Sequence, residues 1–304
     1  MESIILDTDV AMGIHGEDID DGFALAFAVA DPELDLRLVT TVDGNIDVDT
    51  ATRQARFLLD RLRKPGIPVV RGADRPLCGK RRKYWGVLND TRDNPGATTP
   101  AAMRIIQELR DSPSGLTIIA IGPLTNIALA LLLDPAIRHH VNRLVIMGGR
   151  YYHLDWGTGI PGEYNFWADP EATRIVLDSG IDMWLVGTDV TFQVLMDLEE
   201  SERIRDTGGP FGRYAGECAL DWLENLQTRS DKPVTGFPLH DPLAVAAATH
   251  PEIIGWRNEH VNVILEGEGR GAVYLGGGNP ACHVAKTVNV AAFKQYMLER
   301  FQTI

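Results

Sequence analysis

Short apolar runs rich in Ile and Val alternate along the chain with stretches whose apolar residues recur at helical spacing, as a parallel sheet with crossover helices requires. Ile4 to Asp9, Leu36 to Val42, Ile67 to Val70, Leu116 to Gly122, Arg143 to Gly149 and Met183 to Val190 read as successive strands. Between them, helical spacing predicts helices near Asp20 to Ala30, Val48 to Arg63, Pro100 to Arg110, Leu124 to Leu133 and Pro170 to Ser179. Beyond Val190 the alternation weakens. Helices are expected near Glu199 to Asp206 and Phe211 to Gln227, with another from His240 and a terminal one from Val290 to Phe301. Val261 to Gly267 and Gly271 to Gly277 read as a hairpin. No repeat, low-complexity tract or linker divides the pattern. Residues 1–304 are therefore expected to form a single α/β domain, a doubly wound, mostly parallel sheet flanked by helices.

In such sheets ligands bind beyond the carboxyl ends of the strands. That rule singles out Asp7 and Asp9, Asp43 and Asn45, Ile121 to Asn126, and Met147 onward. The stretch DTDVAMGIHGEDIDDGFAL, Asp7 to Leu25, is the most unusual of these. Alternate strand residues point the same way, so Asp7 and Asp9 are expected on one face. Asp18, Asp20 and Asp21 fall at the positive end of the first helix, where unpaired N–H groups and the dipole favour carboxylates. An acidic first turn can do no more than cap a helix. Six mutually repelling acids, counting Glu17, nonetheless need a cation, protons or wide separation. Oxygen donors without a nearby Cys or paired His favour Ca²⁺ or Mg²⁺ over zinc. Asp241, in LHDPLA, could close the same site, although His-Asp-Pro is also an ordinary way to begin a helix.

Composition narrows the partners. A formal charge of -13, with one short basic cluster at Lys80 to Lys83, argues against a nucleic-acid partner. No run approaches the roughly 18 apolar residues of a membrane helix, and no membrane partner is expected. MESIILDTD runs straight into a strand without a basic leader, so a cytoplasmic location is expected. Cys78, Cys218 and Cys282 are odd in number and far apart, which fits reduced thiols better than a disulfide framework or a structural zinc site.

The landmarks resemble those of the inosine-uridine nucleoside hydrolase family, whose N-terminal signature usually reads DTDPGxDDxxAL. TVDGN (Thr41 to Asn45), IGPLTNIA (Ile121 to Ala128), MGG (Met147 to Gly149), EYNFWADPEA (Glu163 to Ala172) and HDPLAV (His240 to Val245) follow in order. The resemblance implies Ca²⁺-dependent hydrolysis of the N-glycosidic bond of a ribonucleoside. By similarity, Asp9, Asp21, Asp241 and the carbonyl of Ile121 would hold the ion, and Asp9 would take a proton from the attacking water. Asp20, Asn45, Glu163 and Asn165 match ribose-binding positions, Met147 would pack on the sugar, and His240 would protonate or hydrogen-bond the departing base. A homodimer or homotetramer is also implied.

Three departures stand out. Ten residues, Val10 to Ile19, separate Asp9 from Asp20 where the usual motif has three, read here as an elaboration at the pocket rim with Gly13 and Gly16 making the turn. Trp85, in YWGVL, stands where the family often has His, either to stack on a base or to pack its loop. GTGIPGEYN lacks an asparagine common in that loop. Tyr214 and Trp222 fall on a helix that borders the base site in the family. Two other readings remain open on sequence: a nucleoside-binding protein that has lost catalysis, and a haloacid-dehalogenase-type phosphatase, which also begins with a strand ending in Asp-x-Asp but needs a phosphate-holding lysine.

Overall fold

The computed structural model describes residues 1–79, 82–83, 86–87, 100–152, 159–302 and 304. The first half alternates as the pattern predicts. β1 (Glu2–Thr8), α1 (Asp20–Ala30), β2 (Leu34–Thr41), α2 (Val48–Arg61) and β3 (Val69–Arg71) lead to a two-residue pair, β4 (Arg82–Lys83) and β5 (Gly86–Val87). Next come α3 (Pro100–Asp111), β6 (Leu116–Ala120), α4 (Thr125–Leu133), β7 (Val141–Met147), α5 (Tyr164–Ala168), α6 (Pro170–Leu177) and β8 (Met183–Val186). The second half holds α7 (Thr188–Thr191), β9 (Leu195–Met196), α8 (Leu198–Thr207), α9 (Pro210–Thr228), β10 (Phe237–Pro238) and α10 (His240–Thr249). It ends in β11 (Ile254–Val263), β12 (Val273–Leu275), β13 (Ala281–Val288) and α11 (Val290–Phe301).

Nine strands form the main sheet in the order β12-β11-β13-β8-β7-β6-β1-β2-β3. From β3 to β13 all neighbours run parallel, and β11 and β12 close one edge antiparallel. Alternation along β1 sends Ile4 and Leu6 into the core shared with α1, α10 and α11, and Ile5 into the opposite core, shared with α3, α4 and α6. Chain order runs outward from β1 in one direction and from β6 in the other. The crevice at the carboxyl ends of those two strands is the topological switch point of the sheet.

One local expectation is corrected, and one element was not anticipated. Met183 to Val190 is not one strand: β8 stops at Val186, and Thr188 to Thr191 form a short helix after Gly187. β-branched Thr and Val satisfy strand propensity, but Gly187 breaks the run. The unanticipated element is β13, which carries no strong period-2 signal because His283, Lys286 and Thr287 dilute it. Its parallel pairing to β8 supplies what propensity does not. No helix among the described residues is long and apolar enough to cross a membrane.

Candidate active site

Asp21, the second residue of α1, is the hub of the acidic cluster. Thr8 Oγ1 donates to its Oδ1 and Asn45 Nδ2 to its Oδ2, both at 2.9 Å. Its carboxyl also touches those of Asp9 and Asp241. One carboxylate oxygen from each of Asp20, Asp21 and Asp241 lies within 4.8 Å of the other two. Asp9 enters just past the end of β1, and its Oδ2 accepts the Asn45 main-chain N–H at 2.6 Å. The other oxygen, Oδ1, is buried with no hydrogen-bond partner among the described residues. Both α1 and α10 begin here, so two helix N-termini add their positive ends to a site that gathers negative charge.

That help does not offset burial. Asp9, Asp20 and Asp241 are pushed well above the usual carboxylate range, first by loss of water and then by neighbouring charge: Asp21 at Asp9, Asp18 and Asp21 at Asp20, and Asp20 and Asp21 foremost at Asp241. Asp21 is raised by the same burial, opposed by its bonds from Thr8 and Asn45. Asp18 rises to about 6, through burial and the neighbouring Asp21. An orphaned oxygen among buried, mutually repelling acids fits a hard, oxygen-seeking cation, whose charge would reverse the cost of ionising them.

Beside the cluster opens a pocket lined by polar and apolar side chains. Asp18 and Asp20 reach it from the loop after β1 and the start of α1, Asn45 from the loop after β2, and Ile121 from the end of β6. Met147 and Arg150 come from the end of β7, Thr188 and Phe192 from the segment after β8. Asn165 Nδ2 donates to the carbonyls of Ile121 (3.2 Å) and Met147 (3.1 Å), tying two strand ends together. Glu163 caps α5, accepting from Asn165 N at 2.7 Å through Oε1 and from Gly149 N at 2.9 Å through Oε2. Burial raises its carboxyl, opposed by those bonds. Tyr164 Oη donates to the Gly44 carbonyl at 2.9 Å, joining α5 to the Asn45 loop. At the far side His240 opens α10, with Nδ1 2.5 Å from Thr191 Oγ1. Desolvation lowers its pKa to about 4, so the ring is neutral near pH 7.

Of the residues singled out in the sequence, Asp20, Asn45, Ile121, Met147, Glu163, Asn165, His240 and Asp241 line this pocket. Asp9 and Asp21 lie in contact with each other beside it. Trp85 lies outside the described residues. Asp7 departs from expectation: its Oδ1 accepts from Thr40 Oγ1 and, at 2.7 Å, from Asn126 Nδ2, in a network that ties β1, β2 and α4 together. Past Thr8 the chain leaves the strand, so alternation no longer places Asp7 beside Asp9.

The long loop is only partly a rim. Val10, Ala11 and Met12 are buried, Gly13 and Gly16 take positive φ, and Arg229 Nη2 donates to the Gly16 carbonyl at 2.8 Å. His15 faces Asp221 of α9 at 3.1 Å, away from the pocket. Tyr214 and Trp222 line a separate groove between this loop and α9 rather than the pocket. Sequence reasoning missed Arg150, Thr188 and Phe192 as lining residues. An arginine directly after MGG at a strand's carboxyl end was a readable signal; Thr188 was hidden by the strand reading of Met183 to Val190, and Phe192 follows just beyond it.

Fold and site together define an α/β enzyme with a carboxylate-floored pocket at the switch point of a parallel sheet. Residues 4–295 match the family model described as inosine-uridine preferring nucleoside hydrolase. The chain is 33% identical over 296 residues to the pyrimidine-specific ribonucleoside hydrolase RihA of Citrobacter koseri, covering 92% of this chain and 94% of that protein. Among solved structures, the plant nucleoside hydrolase PpNRh1 matches with a TM-score of 0.85 at 26% identity, covering 100% of this chain and 99% of that one. The purine-preferring ribonucleoside hydrolase from Gardnerella vaginalis matches with a TM-score of 0.86 at 25% identity, covering 99% and 98%. The chain belongs to the inosine-uridine preferring nucleoside hydrolase family, and its enzymatic class is that of the ribonucleoside N-ribohydrolases.

Proposed function

We propose that this protein is a Ca²⁺-dependent hydrolase that splits the N-glycosidic bond of ribonucleosides into ribose and free base. The observation that carries the reading is the orphaned Oδ1 of Asp9, buried in a carboxyl cluster with Asp21 and Asp241 beside a polar pocket. Asp9, Asp21, Asp241 and the Ile121 carbonyl would hold the ion; that carbonyl already accepts from Asn165 and has a second lone pair to offer. When bound, the ion supplies Lewis-acid polarisation and lowers the pKa of water, and calcium tolerates six to eight oxygen ligands.

The remaining work falls to side chains. Asp9 takes the proton of the attacking water as general base. Asp20 and Asn45 hold ribose hydroxyls beside the cluster, while Glu163 and Asn165, fixed by their cap and carbonyl bonds, hold the rest of the sugar over Met147. Positive charge develops on the ring as the bond breaks, so these oxygens help more in the transition state than in the ground state. His240 meets the departing base. We place the protein in the cytoplasm as one 1–304 domain that assembles into a homodimer or homotetramer.

The test is ribose release from uridine, cytidine, inosine and adenosine, before and after chelation and after restoring Ca²⁺ or Mg²⁺. Chelation-sensitive release restored by Ca²⁺ supports the reading, and the order of turnover assigns the base. Release unaffected by exhaustive chelation would remove the cation from it. A folded protein that binds nucleosides without releasing ribose would instead fit the binding-protein reading.

A further inference from the structure

Thr191 is fully buried at the end of α7, and its hydroxyl lies 2.5 Å from Nδ1 of His240. Among the described residues this is the only side-chain hydrogen bond Thr191 makes. A buried hydroxyl carries one hydrogen that needs an acceptor, and the neutral imidazole has one donor and one acceptor nitrogen. If Nδ1 held the proton, it would donate to Oγ1 and leave the hydroxyl hydrogen buried without an acceptor. If Oγ1 donates, both groups are satisfied and the imidazole proton sits on Nε2. That atom has no hydrogen-bond partner among the described residues, and His240 lines the pocket. Phe192, edge-on to the ring at 5.0 Å and 85°, restricts its rotation.

We propose that Thr191 is a positioning residue for departure of the base: its hydroxyl locks the His240 ring so that the proton sits on Nε2, and that N–H offers the leaving group a hydrogen bond. The inference rests on the hydrolase reading above. As the glycosidic C–N bond breaks, its electron pair stays with the base nitrogen and the developing negative charge accepts the Nε2–H bond. The new C–O bond comes from the attacking water, Asp9 receives that water's proton and passes it to solvent, and the base takes its proton from solvent, so that no net hydroxide is left. Imidazole neither gains nor loses a proton over the step. Loss of the lock lets the ring turn or change tautomer and present a lone pair to a departing anion.

The experiment compares Thr191→Val, which keeps the shape and removes the hydroxyl, with Thr191→Ser, which restores it. Each is assayed on the best nucleoside and on p-nitrophenyl riboside, whose phenolate leaves as a stable anion without a donor. Removing a preorganised hydrogen-bond donor to developing negative charge costs about 10²–10³-fold in kcat; the Val variant keeps the imidazole and loses only its lock, so it is expected to lose about tenfold or more in kcat on the nucleoside. Its KM and its turnover of p-nitrophenyl riboside should stay within about twofold, and Ser should recover the nucleoside rate. Equal losses on both substrates would mark Thr191 as merely structural and overturn the proposal, as would no loss on either. Nitrogen-15 NMR of the His240 ring in the wild type gives an independent reading: a protonated Nδ1 in the free protein overturns the proposal. That readout does not depend on turnover, so a failure of the hydrolase reading stays distinguishable from a failure of the tautomer.

Discussion

Oδ2 of Asp20 accepts the main-chain N–H of Asp241 at 2.9 Å, joining the first turns of α1 and α10 across 221 positions of sequence. Asp20 also accepts from the main chain of His240, so one side chain caps the helix that carries two other site residues. Truncating it to Ala leaves buried N–H groups without partners. Asp20→Ala is expected to lower stability by about 1–2 kcal/mol, the usual cost of an N-cap, and to abolish turnover. Asp20→Asn keeps an acceptor oxygen and should recover most of the stability but little of the activity. Urea unfolding beside ribose release checks both; equal stability losses in the two variants would show that the cap bond is not what holds α10.

Asp241 gives a prediction whose sign depends on the cation. In chelated protein its charge is opposed by burial and by Asp20, Asp21, Asp9 and Asp18. Asp241→Asn removes that repulsion at nearly constant shape, and a shift of about one pKa unit is worth ~1.4 kcal/mol. Chelated Asp241→Asn should therefore melt at or above the chelated wild type. With excess Ca²⁺ the order should invert, because an ion that binds only the folded state at about 100 times its Kd adds ~2.7 kcal/mol. Thermal unfolding with and without Ca²⁺ measures the crossing, and parallel curves would separate Asp241 from ion binding.

Much of the lining of the candidate pocket was readable because three kinds of signal agree there. The Ile-Val runs locate the strand ends, the switch-point rule locates the pocket, and the acids sit where both point. Asp21 lies against both Asp9 and Asp241, near the end of β1 and at the starts of α1 and α10, while the three carboxylates with mutually close oxygens are Asp20, Asp21 and Asp241. What escaped the sequence depends on tertiary pairing. β13 is a strand because β8 and β11 flank it, and Asp7 turns to Thr40 and Asn126 because β1 ends one residue later. The Val10 to Ile19 loop carries its own apolar anchor: Gly22 leaves room for Met12, and a Cβ there would stand 2.4 Å from the Met12 Cβ. Nothing in local composition announces that contact.

Asp7 should make stability depend on pH in the sense opposite to ordinary acid denaturation. Burial raises its carboxyl to about 7 against the bonds from Thr40 and Asn126, and its Oδ2 is buried without a hydrogen-bond partner among the described residues. The folded state thus binds this proton more tightly than the unfolded chain. Its contribution is fully present below the unfolded value of 3.8 and is lost as pH rises through about 7. Three units correspond to a span on the order of 4 kcal/mol. Asp7→Asn cannot titrate, so between pH 4 and pH 8 chelated Asp7→Asn should lose less stability than chelated wild type. Urea midpoints across that range decide it, and identical pH profiles would exclude Asp7 as the titrating group.

Gly44 and Gly122 hold Asp9 from two sides, which makes glycine substitution a probe of how closely the general base must be placed. A Cβ on Gly44 would stand 1.9 Å from Asp9 Oδ2 and 2.9 Å from Pro123 Cδ, and one on Gly122 would stand 2.9 Å from Asp9 Oδ1. Gly44 carries no positive φ, so Gly44→Ala incurs no left-handed backbone strain and acts by crowding Asp9 and the Asn45 N–H bonded to it. Overpacking of this kind costs about 1–3 kcal/mol, which a domain of this size survives. Displacement of a reacting group by about 1 Å costs on the order of 10²-fold in rate, so Gly44→Ala should remain folded while losing kcat by roughly that factor. Gly66, where an added methyl would meet nothing within 4 Å among the described residues, is the control: Gly66→Ala should leave stability within about 0.5 kcal/mol and turnover unchanged. Circular dichroism melts and initial rates of ribose release measure both variants. A Gly44→Ala enzyme with wild-type kcat would mean that Asp9 tolerates displacement, and a base role that depends on its close placement would have to be abandoned.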